Sequence, residues 1–265
     1  MAVSAEEVKL VYICKPHDIE GMRAAGKLAA EILHKLGQKI RPGVSTLELD
    51  EYANELTLAA GATSAPYLYR SVPTDPPFPG HICTSINNVV CHGIPRKNEC
   101  LGKQDIINCD ITVILNGYHG DTSRTFIVKK TKPEIKKLVE TTEKAMLAGI
   151  AAVKPGGCIS DIGKAIEEFV KPHKYGIVEQ LTGHGIHKKF HDEPAIFHYY
   201  KPNHKQELIP GMTFTIEPML NLGSKEVGIL DDGWTVVTHD GKVSAQFEHT
   251  VLVTENSVEI LTKYV

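Results

Sequence analysis

This sequence predicts an α+β fold with internal pseudo-symmetry, on three observations. Arg41-Pro42-Gly43 through Leu56 resembles Lys154-Pro155-Gly156 through Phe169 at an offset of 113 residues. In both copies a helical pattern runs into the Pro-Gly turn and a second one leaves it. Strand-like segments follow each copy, at 82–91 and 106–127, then at 211–221 and 235–262. No Ser/Gly-rich linker separates the two α-then-β halves, about 15–130 and 131–265. The expectation is therefore one domain over 1–265, with 1–14 as an N-terminal extension.

The elements follow in chain order. Asp18 precedes apolar residues at Ile19, Met22, Ala25, Leu28, Ile32 and Leu36, a helical spacing with Asp18 as its cap. Gly37 and Pro42-Gly43 end it. Ser45 with Glu48 forms a capping-box pattern that opens a second helix, Leu47 to Ala60, closed by Gly61. The β-branched run before His92 stops at Gly93 and Pro95, which puts the imidazole at a strand end. Asn116-Gly117 is the strongest short signal for a two-residue type I′ hairpin turn, because both central residues need φ > 0.

That hairpin carries the first chemical clue. With Leu115 opposite Tyr118, Thr112 faces Asp121 and Ser123 faces Asp110. Side chains alternate faces, so Asp110, Thr112 and Asp121 share one face, with the two carboxylates as diagonal neighbours. Two carboxylates about 4 Å apart repel by roughly 4 kcal/mol at an effective dielectric near 20. A shared proton, a cation or a metal must offset that repulsion.

Further residues supply metal-ligand chemistry. His184 lies between two glycines in Thr182-Gly-His-Gly-Ile186, where backbone or ligand can approach closely. His191 stands in Phe190-His-Asp-Glu-Pro194, and Glu217 stands in the apolar, β-prone Thr213-Phe-Thr-Ile-Glu-Pro-Met219. Glu248 occupies a similar run with Gln246 and Thr250 on its face. Four acids and one or two histidines on strands form an oxygen-rich site for two divalent ions. Two dications neutralise four carboxylates, whereas one leaves a semi-buried site at about −2.

Composition narrows the remaining classes. The chain is 42% hydrophobic and 23% charged with a formal net charge of −3, which argues against non-specific nucleic-acid binding by the whole surface. The start, MAVSAEEVKLVY, lacks the basic flank and apolar core of a secretory signal, and no run of 18 apolar residues could span a membrane. Six cysteines without a C-x-x-C pair are scattered as in a reduced, cytoplasmic protein. H-E-x-x-H, G-x-S-x-G, the P-loop and the Rossmann glycine fingerprint are absent.

VVCHGIP, NCDITVILNGYHGDTSRTF, LTGHGI, FHDEP, FTIEPM and SAQFEHT, in that order, resemble the type I methionine aminopeptidases of the bacterial style. The resemblance runs from about Lys15 to the end. It implies the pita-bread fold, two pseudo-symmetric halves forming a curved antiparallel sheet covered by helices. It also implies a hydrolase that removes the initiator methionine from nascent chains with a small second residue, through water activated at a dinuclear centre. Asp110 would ligate one metal and His184 with Glu217 the other, with Asp121 and Glu248 bridging. Glu217 would move a proton, and His92 and His191 would contact the substrate backbone. Phe78, Cys83, His92, Phe190 and Trp234, with Tyr69, would surround the methionine side chain. Asn87, Val89 and Ser244 would hold a sodium or potassium ion through backbone atoms. The implied cofactors are two of Fe, Mn, Co or Zn. The implied setting is a cytoplasmic monomer working near the ribosome, without specific nucleic acid or membrane. The rival readings are an Xaa-Pro aminopeptidase and a non-catalytic ribosome- or RNA-binding protein of the same fold. Two local features stand apart from the resemblance: a long 70–79 segment, and His187-Lys188 where many bacterial relatives carry Gly and Arg.

Overall fold

A computed structural model describes residues 11–264. Most of the N-terminal extension, 1–10, lies outside the described residues. The first half contains α1 (Pro16–Gly37), α2 (Thr46–Ala59), β1 (Thr63–Ser64), β2 (Cys83–Ile86), β3 (Val89–Cys91), β4 (Ile106–Leu115) and β5 (Tyr118–Ile127). The second contains α3 (Pro133–Ala151), α4 (Ser160–Val170), β6 (Gly176–Ile177), β7 (Gly183–Gly185), β8 (Asp192–Ile196), β9 (Thr213–Ile216), β10 (Met219–Asn221), β11 (Val227–Ile229), β12 (Val236–Thr238), β13 (Ser244–Val253) and β14 (Val258–Ile260).

The main sheet runs β1-β4-β5-β13-β9-β7-β8, so the long strands of the two halves meet at β5 and β13 and each half extends outward from that seam. Every pairing on this path is antiparallel. A second, three-stranded sheet joins β11, β12 and β3. The hairpin register is the expected one, with Leu115 opposite Tyr118 and Thr112 opposite Asp121; Asn116 and Gly117 both take positive φ. Both Pro-Gly turns also put their glycine at positive φ, +90° at Gly43 and +77° at Gly156.

Helices cover one face of this sheet. Ile107, Cys109, Ile111 and Val113 of β4 pack with Leu33 and Leu36 of α1 and Leu49 and Ala53 of α2. On the other half, Phe214 and Ile216 of β9 and Phe247 and Val251 of β13 pack with Met146 and Ile150 of α3 and Ile162 and Ile166 of α4. Burial of each Leu, Ile, Val, Met or Phe side chain among them contributes about 1.5–3 kcal/mol. Alternation then turns the intervening residues to the opposite face: Asn108, Asp110, Thr112, Asp121, Ser123, Thr215, Gln246, Glu248 and Thr250. That face is polar and mostly buried.

Three expectations are corrected. Asp18 is not the N-cap of α1 but its third residue; the helix starts at Pro16, and Asp18 reaches back to accept from the Lys15 N–H at 3.0 Å. Segment 82–91 is two strands, because Asn87 turns at φ +52° and sends β3 to the small sheet. Segment 211–221 is likewise two strands, broken at Glu217-Pro218, where proline offers no N–H to the ladder. The Ser45–Glu48 capping box forms as expected, with α2 over Thr46–Ala59.

Candidate metal centre

Two neighbouring rungs of the polar face carry the ligand-type residues. On the first, Cys83 pairs with Asp110, Asp110 with Ser123, and Ser123 with Glu248. Beyond Glu248, the register of β13 with β9 and β10 runs from His249–Ile216 to Gln246–Met219, which puts Glu217 level with Glu248. On the second rung, Thr112 pairs with Asp121, the Thr250 hydroxyl donates to the Asp121 carbonyl at 2.7 Å, and Thr250 pairs with Thr215. His184 completes this rung by donating its N–H to Thr215 Oγ1 at 3.0 Å. Residues from five chain segments thus meet across six strands.

Donor atoms of Asp121, His184 and Glu248 all lie within 4.8 Å of one another. His184 Nε2 is 3.6 Å from Asp121 Oδ2 and 3.7 Å from Glu217 Oε1. Its Nδ1 lies 3.1 Å from the Gly185 carbonyl, which can only accept, so Nδ1 holds the proton and the bare Nε2 lone pair faces the acids. The glycines flanking His184 are required for this approach. A Cβ on Gly183 would sit 2.4 Å from the Thr215 carbonyl oxygen, and one on Gly185 would sit 2.1 Å from that of Glu193.

The acids are held by hydroxyls and amides. Thr112 donates to Asp121 Oδ1 at 2.7 Å, Thr215 donates to Glu217 Oε1 at 2.7 Å, and the Gln246 amide donates to Glu217 Oε2 at 3.3 Å. Asp110 Oδ1 is buried with no partner among the described residues. Burial raises Asp110 to about 7. Glu217 rises to about 8 through burial, against the Thr215 hydrogen bond and with the help of Asp110. Burial, then the neighbouring carboxylates, pushes Asp121 and Glu248 well above the usual range. Burial also lowers His184 to about 4, so its ring is neutral at pH 7. Four crowded acids, an unpartnered oxygen and a bare imidazole nitrogen are the donor set that hard-to-intermediate divalent cations take. The site fits a metal centre.

A cavity of about 340 Å³ opens over these residues. Phe78, Cys83 and Trp234 pack into one wall with Tyr69 and Ile94 beside them. Trp234 meets Phe78 edge-on at 5.4 Å and donates its indole N–H to the Pro76 carbonyl at 2.9 Å. The long 70–79 segment therefore closes this wall. Phe190 and His191 line the same cavity. His191 Nδ1 is 2.7 Å from the Tyr69 hydroxyl. Packing around its ring, and then His184, His92 and His119, lower the His191 pKa. His92 takes φ +55°, a conformation a non-glycine residue holds only under constraint, and burial lowers it to about 4. Asn87 and Ser244 are joined by the Ser244 N–H donating to the Asn87 carbonyl at 2.8 Å, and Val89 opens β3 two residues on.

Sequence reasoning passed over two groups behind the acids. His198 is fully buried and accepts the Glu217 N–H on Nε2 at 3.1 Å, the donor stranded by the break at Pro218. Gln246 reads as a face neighbour of Glu248, yet its amide reaches Glu217. Only the unusual Glu-Pro pair within a strand-like run hints at either.

A family model for metallopeptidase family M24 matches residues 20–255. The chain belongs to this family. It is 53% identical over 245 residues to methionine aminopeptidase A of Synechocystis, covering 92% of this chain and 94% of the relative. It is 46% identical over 253 residues to methionine aminopeptidase of Escherichia coli K12, covering 95% and 94%. Among solved structures it superposes on methionine aminopeptidase from Rickettsia prowazekii with a TM-score of 0.91 at 43% identity, over 96% of this chain and 100% of that one. A prolidase from Pyrococcus furiosus shares the fold, with a TM-score of 0.75 at 21% identity over 96% of this chain and 66% of that one.

Proposed function

We propose that this M24 protein is a metalloaminopeptidase that removes the initiator methionine from nascent polypeptides whose second residue is small. The observation behind the reading is the pair of adjacent rungs that gathers four carboxylates and a neutral histidine under an apolar pocket. Its relatives named methionine aminopeptidase match over nearly their whole length. In this reading Asp110 would hold one divalent ion, His184 and Glu217 would hold the other, and Asp121 and Glu248 would serve both. When bound, such ions would supply Lewis acidity to the scissile carbonyl and lower the pKa of water so that hydroxide is available near neutral pH.

The chain's own residues do the rest. Phe78, Cys83, Phe190 and Trp234 line a slot for an unbranched thioether, whose polarisable sulfur suits aromatic walls. His92, neutral and constrained by its backbone, hydrogen-bonds the substrate main chain. His191, steadied by Tyr69, donates to the peptide oxygen as negative charge develops there. Glu217, ionised beside the bound cation, takes a proton from the attacking water and returns it to the leaving amine. Fe, Mn, Co and Zn all suit this donor set, with sodium or potassium at Asn87, Val89 and Ser244. The reading takes 1–265 as one catalytic domain of a cytoplasmic monomer acting near the ribosome. No described helix is long and apolar enough to cross a membrane.

The test uses the purified chain reconstituted anaerobically with Fe(II), Mn(II), Co(II) or Zn(II). Release of free methionine from Met-Ala-Ser, with no cleavage of an Ala-Pro peptide, is expected. Cleavage of Ala-Pro alone, or no metal uptake by elemental analysis, overturns the reading.

A further inference from the structure

The loop between β7 and β8, residues 186–191, presents Phe190 and His191 to the pocket, and its midpoint is tied to the start of α1. Lys188 Nζ lies 2.9 Å from Asp18 Oδ1 on α1 and 5.1 Å from the Tyr118 ring centroid at the hairpin turn. Asp18 is fully buried, and its carboxylate also accepts from the Tyr118 hydroxyl at 2.8 Å, the Tyr12 hydroxyl at 3.0 Å and the Lys15 N–H at 3.0 Å. Tyr12 in turn stacks on His187 at 4.1 Å, and His187 Nε2 holds Asp192 Oδ2 at 2.7 Å. Exposed ion pairs are worth little, but a lysine that leaves a wholly buried carboxylate strands a charge. Lys188 therefore cannot swing away cheaply. Three residues along, nothing comparable holds His191: its ring has the Tyr69 hydroxyl at the pocket mouth and ring contacts with Phe190 and His184.

We propose that Lys188 and Asp18 are positioning residues, which pin the 186–191 loop to α1 and so hold Phe190 and His191 in register with the pocket. The inference rests on the proposed aminopeptidase reading for its kinetic test, but it has a second test that needs no activity. Trp234 is the single tryptophan of the chain, and Tyr69 links it to His191, with ring centroids 6.4 Å apart. Lys188→Met keeps the side-chain stem and removes the charge, Lys188→Arg keeps the charge, and the Asp18→Asn/Lys188→Met pair leaves no stranded carboxylate if the single variant does not fold.

In the metal-free protein, acrylamide quenching of Trp234 is expected to rise about twofold in Lys188→Met and in the double variant, and to return to the parent value in Lys188→Arg. With Met-Ala-Ser, KM is expected to rise about five- to tenfold with kcat changed less, while the Mn(II) stoichiometry measured by calorimetry stays the same. Quenching unchanged in the folded charge-removing variants, or raised equally in Lys188→Arg, overturns the inference. A parent chain inactive on Met-Ala-Ser overturns the proposed function instead and leaves the quenching result to decide this one.

Discussion

At the scale of single residues, the centre depends on protons as much as on positions. Asp121 takes a 2.7 Å hydrogen bond from Thr112, which orients one carboxylate oxygen and leaves the other toward His184. Thr112→Val removes that bond without changing shape. Outer partners of this kind are worth about 10–100-fold in metal affinity, so Mn(II) titration should show a loss in that range with the fold intact. His191→Ala should leave metal uptake unchanged and lower kcat by about 10²–10³, the usual cost of one donor to a developing oxyanion. A full loss of metal in that variant would make His191 a ligand instead. The candidates themselves were visible as sequence because charges stand out in apolar, β-prone runs: Glu217 after Thr-Phe-Thr-Ile, and Asp110 and Asp121 about one turn. His198 was not, since nothing near Phe197-His-Tyr-Tyr200 states that its ring will accept the N–H of a residue nineteen positions on.

Among elements, the hairpin is the part on which the others are assembled. Its outer face lies so close to α1 that a Cβ on Gly120 would sit 2.2 Å from the Ala25 carbonyl oxygen. Backbone cannot give way as a flexible side chain can, so Gly120→Ala should destabilise by about 1–3 kcal/mol or more. Urea unfolding would read this as a lower midpoint at constant slope; an unchanged midpoint would mean that α1 rides clear of the strand. The hairpin register was legible because Asn-Gly admits few turns and a slip of one residue would turn the apolar set Ile107, Cys109, Ile111 and Val113 away from the helices. The break at Glu217-Pro218 was less legible. An apolar run reads as one strand unless its hydrogen-bond partners are known, and those come from His198 and from β13.

For the whole molecule, the gathered acids couple stability to pH and to metal. Asp110 at about 7, Glu217 at about 8, and Asp121 and Glu248 higher still than usual all hold protons in the folded, metal-free chain that the unfolded chain has released. The acids' contribution to stability therefore falls as pH rises from about 4, the unfolded carboxylate value, through 7 to 8. Buried neutral histidines such as His92, His184 and His198 work in the opposite sense below about 6.5, so the acids dominate above about pH 7. Thermal unfolding in the presence of a chelator should show a lower Tm at pH 8.0 than at pH 7.0, with saturating Mn(II) reversing the trend. A flat profile would mean that the four acids are not crowded. Asp18 works in the opposite sense, since Lys188 and its hydrogen bonds outweigh burial and hold it low; its contribution is lost only as pH falls below about 4. Cation binding must also displace protons, which calorimetry in two buffers of different ionisation enthalpy would count at pH 7.

The succession of helical and then strand-bearing segments in each half, the repeat of helix, Pro-Gly turn and helix, the hairpin register and the type of each candidate ligand follow from the sequence alone, because caps, turns and side-chain alternation act over a few residues. Which acids share a rung, which hydroxyl or amide holds each of them, and how a lysine near the pocket reaches a carboxylate on the first helix were decided only by the tertiary structure. Those contacts join residues up to 170 positions apart, Asp18 to Lys188. Cross-strand pairing and burial select such partners, and no local pattern encodes them.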